Sequence, residues 1–136
     1  MGNLLSFDEI RCLLSPLTRG MDLQLIILFG SLVKGRIHPQ SDIDLAFFFD
    51  QPVDILHLTN QVVRLLHTDH VDVVDLRRTS PLLAFSVAKN GQIIYERAPG
   101  IFTAFYSLAF RRYADTAKLR EAQSQVIRSF RERSRR

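Results

Sequence analysis

The chain has little cysteine and no long apolar run, and each absence excludes a class of protein. Its 136 residues include one cysteine, Cys12, so no disulfide can form within the chain, as is typical of a reducing cytoplasm. No apolar stretch approaches the roughly 18 residues that a membrane-spanning helix requires. The N-terminus also lacks the basic segment and apolar core of a signal peptide. We therefore expect a cytoplasmic protein with no membrane contact.

The composition is that of a soluble globular protein. Hydrophobic residues make up 46% of the chain and charged residues 24%. A chain of this length fits one domain and buries roughly two thirds of its unfolded surface. We expect a single domain over residues 1–136, with a core at about 20–97 and a helical C-terminal extension at about 101–132.

Apolar periodicity and turn residues predict alternating helices and strands. A capping box at Ser6–Glu9 begins a first helix, which Pro16 ends or kinks. The later predicted helices run from a first turn containing Pro52 to about 66, from 80 to 90, and from 101 to about 130 as one helix or two; the predicted strands are 24–29, 42–49, 71–76 and 92–96. This order predicts an α/β (α+β) fold with helices packed on a mixed sheet of about four strands.

One motif stands out between the first two predicted strands. Gly30-Ser31 follows the apolar run 25–29, and after ten residues Asp42-Ile43-Asp44 leads into a second apolar run, 45–49. Four fixed residues at this spacing arise by chance in roughly one chain of this length in a thousand. The strands on both sides make chance less probable still.

The two acidic residues of the motif indicate a metal. Asp42 and Asp44 point to the same face of a strand, with Cα atoms roughly 6.6 Å apart. Two like charges this close, beside so much apolar sequence, repel each other and resist desolvation. A cation removes this conflict, and carboxylate oxygens favour Mg²⁺ or Mn²⁺ over zinc. Because Mg²⁺ keeps open positions for phosphate oxygens, the pair predicts a phosphate-bearing substrate.

The Gly-Ser element predicts a phosphate-binding turn. Gly30 allows the backbone to turn sharply and approach a ligand, and Ser31 offers its hydroxyl and backbone N–H to a phosphate. Lys34 and Arg36 follow on the same loop and could meet the outer phosphates. Solvated positions for these two cations are an equally good interpretation.

A third carboxylate is needed as a general base. Asp72 lies inside the predicted strand 71–76, whereas Asp75 lies at its end and on the opposite face, so we favour Asp72. His67 and His70 have a spacing that could suggest a metal site. Without further histidine or cysteine nearby, a helix end and a strand start explain them better.

These residues resemble a known family. Gly30-Ser31, Asp42-x-Asp44 and Asp72 together look like the polymerase-beta-type nucleotidyltransferase superfamily. The short chain, and the strand 71–76 followed by a helix and Ile93–Glu96, resemble its minimal (MNT) branch. The resemblance covers roughly residues 20–97 and, more weakly, the tail near 113–115.

The resemblance implies roles for the motif residues. Asp42 and Asp44 would be metal ligands, Asp72 a third ligand and base, and Gly30 and Ser31 the turn that holds phosphates. The expected cofactor is Mg²⁺, with two ions, and the expected substrate is ATP. Attack of an acceptor hydroxyl on the α-phosphorus would then release pyrophosphate toward Ser31 and Lys34.

The resemblance also implies a partner. Many MNT proteins are antitoxins of a HEPN-domain ribonuclease toxin and transfer AMP from ATP to a tyrosine of that toxin. We therefore expect a protein adenylyltransferase that forms a hetero-oligomer with such a toxin. Two alternatives stay open: a small-molecule nucleotidyltransferase of the antibiotic-modifying type, and a non-catalytic antitoxin that neutralises by contact.

The length of the chain and its C-terminal region indicate which kind of molecule accepts the nucleotide. The core and its helices use nearly all the residues, which leaves little for a second domain to grip a small molecule or a primer, so a protein acceptor fits best. The C-terminal helices would be its docking surface. The basic run 128–136 could meet an acidic partner or nucleic acid, or be a solvated terminus.

Overall fold

A computed structural model of the chain describes residues 5–30 and 42–134. The helices are α1 (Phe7–Leu13), a 3₁₀ helix (Ser15–Arg19), α2 (Ile55–Leu66), α3 (Pro81–Asn90) and α4 (Ile101–Ser134), and the strands are β1 (Leu23–Phe29), β2 (Ile43–Phe49), β3 (Val71–Asp75) and β4 (Gln92–Glu96). The order of helices and strands is the predicted one, and each strand boundary lies within one residue of its prediction.

The four strands form one mixed sheet in the order β3-β2-β1-β4. Both β2 and β4 run antiparallel to β1, whereas β3 runs parallel to β2. A parallel neighbour requires a crossover, and α2 supplies it between β2 and β3. The predicted α/β class and mixed four-stranded sheet are confirmed.

Helices cover both faces of the sheet, so the strands are apolar on both sides. One face packs on α1 and α2 through Ile10, Leu14, Leu23, Ile26, Leu28, Ile43, Leu45, Phe47, Leu58, Val62, Leu66 and Ile94. The other face packs on α3 and α4 through Leu25, Ile27, Ala46, Leu76, Val87, Ala88, Phe105 and Ala109. Neighbouring residues of β2 alternate between the two faces, as the pleat of a strand requires.

Side-chain caps set the helix starts. The Ser6 hydroxyl accepts a hydrogen bond from the Glu9 N–H at 3.1 Å, which confirms the capping box of α1. The Asp54 carboxylate accepts from the N–H groups of Leu56 and His57. The prediction that Pro52 lies in the first turn of α2 is therefore wrong, because the Asp54 cap begins the helix at Ile55.

The C-terminal region is one helix rather than two. α4 has 34 residues, and from Glu121 to Arg133 every side chain is exposed. Three large apolar side chains lie on this exposed half, namely Val126, Ile127 and Phe130, and Leu119 is exposed just before it. Within the described ranges no helix is long and apolar enough to cross a bilayer.

Replacing Phe47 should test the core that supports β2. Phe47 is fully buried, and Phe47→Ala should lower the free energy of unfolding by about 3–5 kcal/mol because it leaves a cavity. Phe130 is 72% exposed, so Phe130→Ala should change the free energy of unfolding by less than about 0.5 kcal/mol. Urea unfolding of both variants measures the difference, and equal midpoints would contradict this account of the core.

Candidate active site

Three acidic residues lie at one edge of the sheet. Asp42 directly precedes β2, Asp44 is the second residue of β2, and Asp72 is the second residue of β3. Asp44 is paired with Asp72 across the parallel strands, so the two side chains project from the same face. Asp42, two residues before Asp44, belongs to that face as well. It is the face that α3 and α4 cover, since Ala46 and Leu76 follow on it.

Burial and charge raise the pKa of Asp44. Asp44 is half-buried, whereas Asp42 and Asp72 are exposed. Loss of water raises the pKa of Asp44 from 3.8 to about 6, and the negative charges of Asp72 and then Asp42 add to the effect. The three carboxylates are thus close enough to influence one another, as the sequence predicted.

Gly30 lies directly against Asp44. Its φ is +83°, in the left-handed region that favours glycine. A methyl group at this position would overlap the Asp44 carboxylate. The end of β1 therefore needs glycine for two reasons, the direction of the turn and the space that the carboxylate occupies.

His70 is a neighbour of the site that sequence reasoning missed. Its Nδ1 lies 3.7 Å from the Oδ1 of Asp42, and its carbonyl oxygen accepts a hydrogen bond of 2.8 Å from the N–H of Ile43. The interpretation of His70 as a strand start is correct, since β3 begins at Val71. Its contact with Asp42 depends on the pairing of β2 with β3, which no local pattern in the sequence reveals.

Asp75 lies away from the three carboxylates. It is 9% exposed, at the other end of β3, where its Oδ1 accepts a hydrogen bond from the Arg77 N–H at 3.0 Å. This bond closes the turn after the strand. The structure thus gives Asp75 a local role and places Asp72 beside Asp44.

The remaining residues of the predicted site are Ser31, Lys34 and Arg36. They lie outside the described residues, within the interval 31–41. Among residues 5–30 and 42–134, no group of three or more acidic, histidine or cysteine side chains is arranged to hold a metal ion. A metal would therefore require the carboxylate side chains to adjust around it.

The donor set nonetheless suits a hard divalent cation. Three carboxylates approach each other, and one of them is half-buried with a raised pKa. No Lys or Arg side chain of the described residues forms an ion pair with them, and the His70 imidazole is the one basic group nearby, 3.7 Å from Asp42. Oxygen donors of this kind are those that Mg²⁺ and Mn²⁺ prefer. A dication would reverse the repulsion that now disfavours the charged form of Asp44.

The fold and this edge of the sheet define a class of protein. Residues 13–99 match the model of the polymerase beta nucleotidyltransferase family, which covers well over half of the chain. The chain belongs to this family. The resemblance noted from Gly30, Ser31, Asp42, Asp44 and Asp72 is confirmed at the level of the family.

Comparison with individual proteins shows which members of the family this chain resembles. The chain is 26% identical over 129 residues to the protein adenylyltransferase MntA of Aphanizomenon flos-aquae, over 86% of each chain. A solved toxin–antitoxin structure with AMP-PNP is 29% identical, with a TM-score of 0.76, over 90% of this chain and 98% of that one. One chain of the solved complex of a tri-AMPylated Shewanella oneidensis HEPN toxin with an MNT antitoxin is 25% identical to this chain, with a TM-score of 0.73 and the same coverage.

Gly30→Ala should destabilise the site edge. A non-glycine residue at φ +83° is strained, and the added methyl group overlaps the Asp44 carboxylate, so the free energy of unfolding should fall by about 1–3 kcal/mol. Gly20→Ala is the matched control, because no atom lies within 4 Å of the added methyl group there. Thermal melting compares the two. Adding Asp44→Ala to Gly30→Ala should recover part of the loss, and equal melting temperatures for the two single variants would contradict the packing described.

Asp44→Asn should make the metal-free protein more stable above pH 6. The folded state raises the pKa of Asp44 from 3.8 to about 6, so it binds the proton more tightly than the unfolded chain does. The stability that this group contributes is present below pH 4 and is lost as the pH rises through about 6. Urea unfolding at pH 4.5 and pH 8 should show that Asp44→Asn raises the free energy of unfolding, relative to wild type, more at pH 8 than at pH 4.5. Asp115→Asn, on exposed α4, controls for net charge, and an equal gain there would contradict the argument.

Proposed function

We propose that this chain is a protein adenylyltransferase that transfers AMP from ATP to a tyrosine hydroxyl of a HEPN-domain toxin, and that it acts as the antitoxin. The observation that carries the proposal is the placement of Asp42, Asp44 and Asp72 on one face of the sheet beside Gly30, in a member of the nucleotidyltransferase family. The name of the Aphanizomenon relative and the AMPylated toxin of the Shewanella complex support the choice of a protein acceptor.

The exposure of the three carboxylates suggests a division of roles. Asp44 is half-buried and fixed against Gly30, which suits a ligand that must hold its position. Asp72 is exposed, so a hydroxyl group on another protein can reach it. We assign Asp72 as the general base, with Asp42 and Asp44 as the residues that anchor the nucleotide through a metal.

The proposed reaction is a displacement at the α-phosphorus of ATP. The acceptor oxygen forms a bond to this phosphorus, its proton passes to Asp72, and the bond to the β-phosphate oxygen breaks to release pyrophosphate. We assign Gly30 to the turn beside the phosphates, and Ser31 and Lys34, which lie outside the described residues, to contacts with the phosphates. Positioning supplies most of the rate gain in such a transfer.

Mg²⁺ is the metal that we assign to this site. Asp42, Asp44 and Asp72 would hold two ions, which neutralise the triphosphate and lower the pKa of the acceptor hydroxyl. The burial of Asp44 beside two further carboxylates supports this assignment, because a cation would offset both the lost hydration and the repulsion. ATP as the nucleotide is supported by the AMP-PNP in the related toxin–antitoxin structure.

A transfer assay tests the proposal. The chain is mixed with a purified HEPN-domain protein from the same organism as the candidate acceptor, Mg²⁺, and ATP labelled at the α-phosphate. Label should appear on the partner, and Asp42→Asn should reduce its rate of appearance by about 100-fold or more, because it removes one anchoring carboxylate. Asp69→Asn is the matched control: Asp69 is 89% exposed, close to the site along the chain, and should change the rate less than about threefold.

The outcomes separate this function from its alternatives. A tyrosine-to-phenylalanine change in the partner should remove the label, as should EDTA. Label on an added aminoglycoside instead of the protein would indicate a small-molecule enzyme. A stable complex that never carries label, with or without Asp42→Asn, would show neutralisation by contact alone and would contradict the catalytic proposal.

A further inference from the structure

A concave surface lies at the end of the sheet opposite the carboxylates. It is a cavity of about 320 Å³ whose apolar lining comprises Phe48, Leu76, Pro81, Ala84, Phe105, Leu108 and Ala109. Phe48 is near the end of β2 and Leu76 directly follows β3, whereas Asp44 and Asp72 stand near the starts of the same strands. Phe48 lies four positions after Asp44, which corresponds to roughly 13 Å at the rise of a strand. The cavity is therefore separate from the candidate active site.

Two arginines stand at this cavity without partners. Arg77, from the turn after β3, and Arg112, on α4, both line it, and both are exposed. In the part of the chain that the structure describes, neither guanidinium group makes an ion pair or a hydrogen bond. Thr79 adds a hydroxyl, and α3 begins at Pro81 with its positive dipole end at the same place. Guanidinium groups so placed are suited to a carboxylate or phosphate.

Charge along the chain favours an acidic occupant. Residues 1–75 contain five Lys and Arg against ten Asp and Glu, and residues 76–136 contain thirteen against four. Arg77 and Arg112 belong to the basic half, and Asp42, Asp44 and Asp72 belong to the acidic half. The unpaired guanidinium groups of Arg77 and Arg112 make the mouth of the cavity locally positive, which favours an acidic occupant.

The residues that line the cavity favour a protein segment over RNA as its occupant. Single-stranded RNA stacks its bases on exposed aromatic faces, but Phe105 is 8% exposed and Phe48 is half-buried against it, with ring centroids 5.6 Å apart. Leu108, which is 39% exposed, offers an aliphatic contact instead. A cavity of this volume suits one or two apolar side chains, the usual anchor of a protein interface.

We propose that this cavity docks an acidic segment of the partner protein. An apolar side chain of the segment inserts between Phe48 and Leu108, and a flanking carboxylate pairs with Arg77 and Arg112. The identity of the partner as the HEPN toxin rests on the proposed function, but the chemistry of the segment does not. Docking at this end leaves the carboxylate edge open to ATP and to the acceptor hydroxyl.

Binding without catalysis tests the proposal. The full chain is titrated with the purified HEPN partner in the absence of ATP, and the dissociation constant is measured by isothermal titration calorimetry. Arg112→Glu should weaken binding at least about tenfold, since it replaces an attraction with a repulsion. Arg111→Glu is the matched control: it makes the same charge change one residue earlier on α4, outside the cavity lining, and should weaken binding less than about threefold.

A second experiment uses a short peptide, so its result does not depend on which protein is the partner. The probe is acetyl-Asp-Phe-Glu-amide at millimolar concentration, compared with acetyl-Asn-Phe-Gln-amide, and binding is followed by NMR shifts of the Ala84 and Ala109 methyl groups. Only the acidic peptide should shift them, and Arg112→Glu should abolish the shifts. If neither peptide shifts these methyl groups but an oligouridylate of ten nucleotides does, and if Arg112→Glu abolishes that binding, the cavity binds RNA and the proposal is overturned.

The two proposals fail in different ways. Equal weakening by Arg112→Glu and Arg111→Glu, or no weakening by either, would overturn the docking site even if AMP is transferred. Binding that depends on Arg112 without any AMP transfer would support the docking site and contradict the proposed function. Melting curves of both variants confirm that each is folded, as expected for exposed side chains.

Discussion

The partial burial of one carboxylate beside two others at one edge of the sheet is the constraint on which the rest of the structure depends. Asp44 is half-buried where Asp42 and Asp72 add negative potential, and its pKa rises to about 6 as a result. A protein under selection for stability alone would replace one of these residues. The energetic cost at the site is offset elsewhere, by a sheet that buries apolar side chains on both faces.

The alternation of β2 connects this site to the rest of the fold. Ile43, Leu45 and Phe47 face α1 and α2, while Asp44 and Ala46 face α3 and α4. The same strand therefore supports one core with its odd-numbered residues and carries the carboxylate and the second core with its even-numbered ones. A shift of one residue in its register would bury both acids of the motif against α1 and α2.

The sequence predicted most of the fold and the acidic part of the site, because both depend on local patterns. Strand alternation, the capping box and the spacing of Asp42 and Asp44 can all be read within a few residues. The helix start predicted at Pro52 was wrong because proline and Asp54 both signal the start of a helix. The structure shows that the Asp54 carboxylate accepts hydrogen bonds from the first turn, so the helix begins after Asp54. The order of the strands, the contact of Gly30 with Asp44, the position of His70 and the cavity beside Arg112 all depend on contacts distant along the chain.

The arginines that line the cavity and the carboxylates of the candidate site stand at opposite ends of β2 and β3. An acidic macromolecule that approaches through solution meets attraction at the arginine-lined end and repulsion at the carboxylate edge, so it is rotated before any side chains touch. The orientation of an encounter is in this way selected at a distance of about one Debye length, roughly 8 Å at physiological salt. Such a bias accelerates productive collisions and weakens as the ionic strength rises.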